Sequence, residues 1–339
     1  MRNPTVVFTA PQQVAVEDRP LPVPAAGEVL IQTRRTLIST GTELTILNGQ
    51  FPPKSRWADY GRFPFVPGYD HIGTVVEVGP EVDHAWLGRK VGSYAAHAAY
   101  VLGRPSALRQ IQREIPDEEA AFFTLAEIAM NGVRRGQVTW GETVAVYGLG
   151  LLGQLVARLC RLAGAGLVVG VDLAASRLAL LPQLPRMAAL NPAEGDLVAR
   201  AQALTRGRLA DVVFELTGNP EAIPGEFALL RPQGRMVLLS SPRGPTPLFD
   251  FHDLCNSPSH TIIGAHNSSH PTHETPHTPW TRPRHAELFF DLVATRELEI
   301  APLISHRLPC TEAPRIYAEL LADRTQAMGV VLEWEGAET

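Results

Sequence analysis

The sequence predicts an α/β protein of two domains, a small β-barrel or sandwich followed by a doubly wound parallel sheet. Three observations carry that prediction. The chain has 339 residues, more than one ordinary core accommodates. Residues 1–115 hold short β runs broken by Gly and Pro ("TVVFTA", "QVAVED", "GEVLIQTRRTLIS", "GTVVEVG", "RKVGSYAAHAAYVLG"), with no long helix among them. From residue 143 apolar strands alternate with helical segments: "TVAVYGLG", "LLGQLVARLCRLAGAG", "LVVGVDL", "ADVVFELTG", "GRMVLLSS" and "HTIIGAH". That alternation means a parallel sheet, since strands joined by helices run the same way.

The remaining elements follow in order. "DEEAAFFTLAEIAMNGVRRG" opens with acidic residues and keeps helical apolar spacing, which predicts a helix between the two domains. The tail, "RHAELFFDLVATREL", "LISHRL", "EAPRIYAELLADR" and "MGVVLEW", adds helices and short strands. The expected boundaries are 1–127 for the first domain, 128–268 for the second and 269–339 for a return to the first, with a His/Pro-rich loop at 266–285.

Composition narrows the function classes. Hydrophobic residues make up 45% and charged residues 19%, as in a globular protein, and the net charge of −5 argues against a nucleic-acid partner. No run of eighteen apolar residues exists, so no membrane span is expected. The first twenty residues lack an apolar signal core, which leads to a cytoplasmic expectation. Cys160, Cys255 and Cys310 stand far apart, which excludes a thiolate zinc cluster and a disulfide framework.

"VAVYGLGLLGQ" contains Gly148, Gly150 and Gly153, a G-x-G-x-x-G that follows an apolar strand and opens a helix. Gly148 permits the tight turn, Gly150 lets the backbone approach a pyrophosphate, and Gly153 lets the helix pack on the strand. The helix N-terminus, with Leu149, Leu151 and Leu152, offers N–H groups to the phosphates. Asp172 closes the next strand and is placed to accept from the ribose hydroxyls, which favours NAD over NADP; Arg177 is grouped with these contacts. Ligands bind outside the carboxyl ends of such strands, which adds Leu216, Thr217, Gly218, Ser240, Gly264 and Ala265 to the cofactor set. The alternative is a set of plain αβ loops.

The order of parts resembles the medium-chain dehydrogenase/reductase superfamily: a barrel like that of the GroES chaperonin, an inserted Rossmann NAD(P) domain, and a C-terminal return. The resemblance rests on "STGTEL" at 39–44, "VPGYDHIGTVVEVG" at 66–79, "LAEIAMNGV" at 125–133, the glycine motif, and "LISHRL…GVVLEW". Zinc-dependent members hold the metal through a cysteine in a "CGTD"-like motif, the histidine of "GHE", and a later cysteine or glutamate. The resemblance puts Thr40 at the cysteine, Tyr69 at the histidine, Asp70 at the neighbouring glutamate, and Glu127 at the later carboxylate of the polyol-dehydrogenase type. Thr40 and a neutral phenol are poor zinc ligands. The variants resemble a zinc-lacking branch that includes bacteriochlorophyllide dehydrogenase-like proteins, and no zinc is expected. His71, which strand alternation would put on the side of Tyr69, is an alternative ligand against a histidine packed in the barrel.

Without a metal, a developing alkoxide needs a hydrogen-bond donor or a positioned base. Tyr69 is the first candidate, Thr40 and Thr42 are candidate relays, and Asp70 and Glu127 are candidate bases or partners of arginines. Lys54 lies in a loop after the first motif. Residues 252–285 hold seven of the eleven histidines. His266, His270, His273 and His277 have metal-stripe spacing, but Pro271, Pro276, Pro279 and Pro283 forbid a regular helix. By the resemblance this loop follows the strand flanking the nicotinamide, which makes it a substrate lid with His266, Asn267 and Trp280 as contacts. The leading expectation is a zinc-independent, NAD-dependent dehydrogenase of a secondary alcohol, on a hydroxyl-rich substrate such as a sugar, polyol or cyclitol. The alternatives are a quinone or enone reductase, and a nucleotide-binding protein without catalysis. Apolar edge strands in the cofactor domain lead to an expected homodimer or homotetramer.

Overall fold

Val29–Leu37 is the strand around which the first unit is assembled in the computed structural model, which describes residues 2–336. Its sheet runs Ile304–Pro309, Gly329–Glu333, Val29–Leu37, His71–Val78, Lys90–Ser93, Arg109–Gln110, with Tyr100–Gly103 also paired to Val29–Leu37. Alternate residues of a strand point to opposite faces. Accordingly Leu30 packs with Phe8, Ile46 and Tyr317, while Val29 and Ile31 pack with Val75, Val91 and Val101. Both faces are thus covered, each fully buried aliphatic contributing about 1.5–3 kcal/mol. The C-terminal tail closes this sheet, Val331 pairing opposite Leu37.

The second unit holds six parallel strands in the order Met187–Leu190, Leu167–Val171, Thr143–Tyr147, Ala210–Glu215, Leu230–Leu238, Thr261–Gly264. The sequence order reverses between Thr143–Tyr147 and Ala210–Glu215, which is the switch point where such sheets bind ligands. This is the α/β architecture expected, a GroES-like N-terminal domain plus a Rossmann-like sheet. No helix among the described residues is long and apolar enough to cross a membrane.

Two details depart from the sequence reading. The helix expected from Asp117 comes as two pieces, Asp117–Ala120 and Phe123–Arg135. Phe122 and Phe123 are adjacent and both fully buried. Neighbours on one continuous helix point about 100° apart, and here the turn tightens through the Phe122 N–H to Glu119 carbonyl bond at 3.2 Å. The division also differs: residues up to Thr124 group with those from Ala286, and Leu125–His285 form the other unit. Residues 269–285, expected in the C-terminal return, group with the nucleotide domain because Asn131 bonds Ser269 and Arg134 bonds His285.

Candidate functional site

Within the first unit the residues of "STGTEL" and "GYD" build one polar network. The Tyr69 hydroxyl bonds Ser39 Oγ and donates to Thr42 Oγ1 at 3.1 Å. Ser39 N–H donates to Glu43 Oε1 at 3.0 Å. This reach back from the first turn of the helix Thr42–Asn48 follows capping-box logic. Glu43 Oε2 takes two further donors, His97 Nε2 at 3.2 Å and the Tyr317 hydroxyl. Glu43, His97 and Tyr317 are all buried, so these three bonds replace water around a carboxylate. Burial, and next the charge of Asp70, push the Tyr69 phenol well above its ordinary range. Tyr69 is therefore a hydrogen-bond donor at neutral pH.

Asp70 is fully buried and its carbonyl accepts from Leu37 N–H at 2.9 Å. Thr40 is half-buried, and Lys54 is exposed in its loop with a left-handed φ of 64°. His71 is a barrel histidine. Its Nε2 bonds Thr33 Oγ1 at 2.9 Å and its Nδ1 bonds Ser93 Oγ at 2.8 Å. Burial, then His97, lower its pKa to about 3, so it is neutral and engaged at both nitrogens. The alternation argument linking it to Tyr69 does not apply, because the strand begins at His71 and Tyr69 precedes it.

Zinc is the metal the resemblance brings to mind, so the donor set matters. The resemblance puts Thr40 and Tyr69 at the first two ligand positions, and the Tyr69 phenol is held by two hydroxyls. No three His, Cys, Asp or Glu side chains gather at metal-binding distance among the described residues. This set does not fit zinc, which requires three N, S or O ligands of anionic or imidazole type.

The second unit carries the dinucleotide cradle. Gly148 has φ 86°, and a Cβ there would lie 2.8 Å from the Leu216 carbonyl. A Cβ on Gly153 would lie 1.9 Å from the Gly148 oxygen, so the helix Leu151–Leu162 packs this closely only on glycine. A Cβ on Gly150 or Gly264 would meet nothing within 4 Å, which leaves the backbone open to a ligand. Asp172 is set against this turn: Oδ2 accepts from Leu149 N–H at 2.7 Å, Oδ1 accepts from Ala174 N–H at 2.8 Å, and Arg177 Nη1 stands 3.7 Å away. Among the leucines, Leu149 and Leu151 are buried and Leu152 is half-buried. These residues fit NAD.

At the neighbouring strand ends, Thr217 Oγ1 and Gly218 N–H donate to Glu215 Oε1 at 2.7 and 2.9 Å, and Ser240 Oγ donates to Glu215 Oε2. The Thr217 and Ser240 hydroxyls thus turn toward a buried carboxylate. Glu226 completes the group. Burial, then Glu215, raise its pKa to about 9, so Glu226 keeps its proton at neutrality. Leu216 N–H bonds the Tyr147 carbonyl at 2.9 Å, and Ala265 is fully buried.

The His/Pro-rich loop is anchored. Arg135 donates to the Gly264 carbonyl at 2.8 Å, and Arg282 to that of Asn267 at 3.2 Å. Arg134 and Arg284 lie 3.3 and 4.2 Å from the Trp280 ring centroid. Trp280, expected as a substrate contact, packs between two guanidiniums. His266 is exposed and uses Nδ1 to cap its own turn, accepting from Ser268 N–H at 3.1 Å. Glu127 is fully buried in the helix Phe123–Arg135 of this unit.

Sequence reasoning missed Ser39, Glu43, His97 and Tyr317. Glu43 had a signal, an acid on a first helical turn four residues after a serine. His97 sits alone between alanines, and Tyr317 reads as part of an apolar helix stripe.

Residues 25–116 match the family described as alcohol dehydrogenase GroES-like domain, and residues 152–278 match zinc-binding dehydrogenase. The D-guloside 3-dehydrogenase of Shigella flexneri is 26% identical over 338 residues, 93% of this chain and 95% of that protein. A Sinorhizobium meliloti structure described as a zinc-binding dehydrogenase bound to NADP has a TM-score of 0.81 at 23% identity, over 98% of this chain and 99% of that one. An Escherichia coli alcohol dehydrogenase complexed with NADH has a TM-score of 0.80 at 18% identity, with the same coverage.

Proposed function

The chain belongs to the medium-chain, zinc-type alcohol dehydrogenase superfamily, and from that premise we propose a zinc-independent, NAD-dependent dehydrogenase of a secondary alcohol, on a sugar, polyol or cyclitol. The observation that carries this reading is the Tyr69 phenol, held by Ser39 and Thr42; by the resemblance, this is the position of a metal ligand in zinc-dependent members. NAD supplies the hydride acceptor when bound. The protein has to hold the substrate oxygen and move its proton. In the oxidative direction Tyr69 takes the alcohol proton as it passes its own to Thr42, along the bond it already makes, and half-buried Thr42 releases its hydroxyl proton to solvent. In the reductive direction it donates to the carbonyl oxygen as charge develops there. Glu43, with three donors, fixes Ser39 and so the phenol. Asp172 against the glycine turn favours NAD, since a 2′-phosphate beside a carboxylate is repelled.

The sugar-type substrate is supported by the D-guloside 3-dehydrogenase relative. The assignment to a zinc-lacking branch rests on the donor set alone. The assembly we propose is a homodimer or homotetramer with no nucleic-acid or membrane partner. The edge strand Thr261–Gly264 adjoins an apolar groove of about 520 Å3 lined by Ile223, Phe227, Phe249, Phe251 and Ile262. Metal analysis of purified protein, with activity on a panel of polyols and ketones before and after chelation, tests the reading. Activity without bound zinc is expected. Stoichiometric zinc with loss of activity on its removal overturns it, and activity confined to quinones or enones favours the reductase alternative.

A further inference from the structure

Three buried polar atoms have no partner in the protein: Asn267 Oδ1 and His270 Nε2 at the start of the loop, and His285 Nδ1 on the first turn of the helix Arg282–Ala294 that follows it. His285 is fully buried and His270 is 8% exposed. Buried polar groups are normally satisfied, so a cluster of three calls for a reason. Hydrogen bonds assign the tautomers. His270 Nδ1 donates to the Asn267 carbonyl at 2.9 Å, which leaves Nε2 an acceptor. His285 Nε2 accepts from Arg134 Nε at 3.1 Å, which leaves Nδ1 carrying the proton. The two ring centroids are 5.2 Å apart. The side chains thus offer one N–H donor and two acceptors on neighbouring residues. A carboxylate or phosphate satisfies only the donor, and an ammonium only the acceptors. A hydroxyl group does both, since it accepts through oxygen and donates its proton.

We propose that Asn267, His270 and His285 form a hydroxyl-recognition subsite for a polyhydroxylated substrate, one hydroxyl accepting from His285 Nδ1–H and donating to His270 Nε2, and Asn267 Oδ1 taking a second. The inference rests on the dehydrogenase reading and deepens it. The subsite follows directly on Gly264 and Ala265 at the carboxyl end of the strand Thr261–Gly264. Arg134 and Arg282 hold the imidazole and the loop in place. Such a site discriminates steeply, because a substrate without the hydroxyls leaves the buried groups unpaired.

The test compares His270→Gln and Asn267→Ala with the wild type on D-sorbitol, erythritol and methyl glucoside, and on cyclohexanol. NADH titration checks that the cofactor cradle is intact in each. On the best polyhydroxylated compound, kcat/KM is expected to fall roughly ten- to a hundredfold, mainly through KM, with a much smaller loss on cyclohexanol. Equal losses on both classes make the residues structural and overturn the subsite. No loss on either shows that the cluster holds a buried water only, and also overturns it. If the wild type oxidises nothing on the panel, the dehydrogenase reading fails separately. Calorimetry of the same compounds with NADH-loaded protein then decides: binding lost in the variants supports the subsite, and no wild-type binding refutes it.

Discussion

Tyr317 donates its hydroxyl to Glu43, a residue 274 positions earlier in the chain, with both side chains buried. Its partner Ser39 is in turn bonded to Tyr69. The candidate proton donor is thus positioned from the far end of the sequence.

Tyr317→Phe removes one of three donors from a buried carboxylate. We expect a loss of about 1–3 kcal/mol, measured as a lower denaturation midpoint. NADH affinity should hold, because the cradle lies in the other unit. A variant as stable as the wild type contradicts the account of Glu43.

Tyr69→Phe keeps the ring and removes the hydroxyl. With the phenol as the proton-handling group, kcat should fall about a hundredfold or more while NADH binding is unchanged. Retained activity removes Tyr69 from the mechanism.

Asp172→Ala should weaken NADH binding by roughly ten- to a hundredfold, as read by fluorescence titration. The Leu149 N–H loses its acceptor at 2.7 Å, and Arg177 loses the carboxylate 3.7 Å away. With the carboxylate gone, the Arg177 guanidinium should narrow the gap between NADH and NADPH. An undiminished preference for NADH contradicts this.

Glu226 has a folded pKa near 9 against an ordinary 4.5. The folded state therefore holds its proton more tightly than the unfolded chain. Its contribution to stability is full at acid pH and is lost as pH rises from about 4.5 through about 9. In Glu226→Gln this part of the decline should vanish, at most about 1.4 kcal/mol per pH unit. Denaturation midpoints at several pH values give the comparison. Parallel curves for variant and wild type contradict the raised pKa of Glu226.

The periodicities that built both sheets were readable, because strand alternation and helix spacing are local. The glycine motif was readable because its spacing is local: Gly153 answers Gly148 within one strand–turn–helix, although Gly148 itself meets Leu216 from a neighbouring strand. The partners of Tyr69 were only half readable. Thr42 lay in a quoted motif, whereas His97 and Tyr317 reach Glu43 through tertiary packing that leaves no local mark. In the loop, His266 and Trp280 looked available because they are polar or aromatic beside a strand end. Their partners, Ser268 on one side and Arg134 and Arg284 on the other, were set by the fold. His270 stood out by spacing alone, and His285 became a candidate only once burial was known.

The pairing of Val331 with Leu37 has a consequence for synthesis on the ribosome. The first unit begins its sheet with residues made early, yet Ile304–Pro309, Gly329–Glu333 and Tyr317 are made last. The nucleotide domain, Leu125–His285, has all of its strands before that point. A nascent chain can therefore acquire its cofactor cradle while the barrel still has an open edge at Val29–Leu37 and Glu43 still lacks a donor. The glycine turn is thus complete in the chain before the Glu43 network is, and the interval between them is when the unfinished edge is exposed to pairing with other chains.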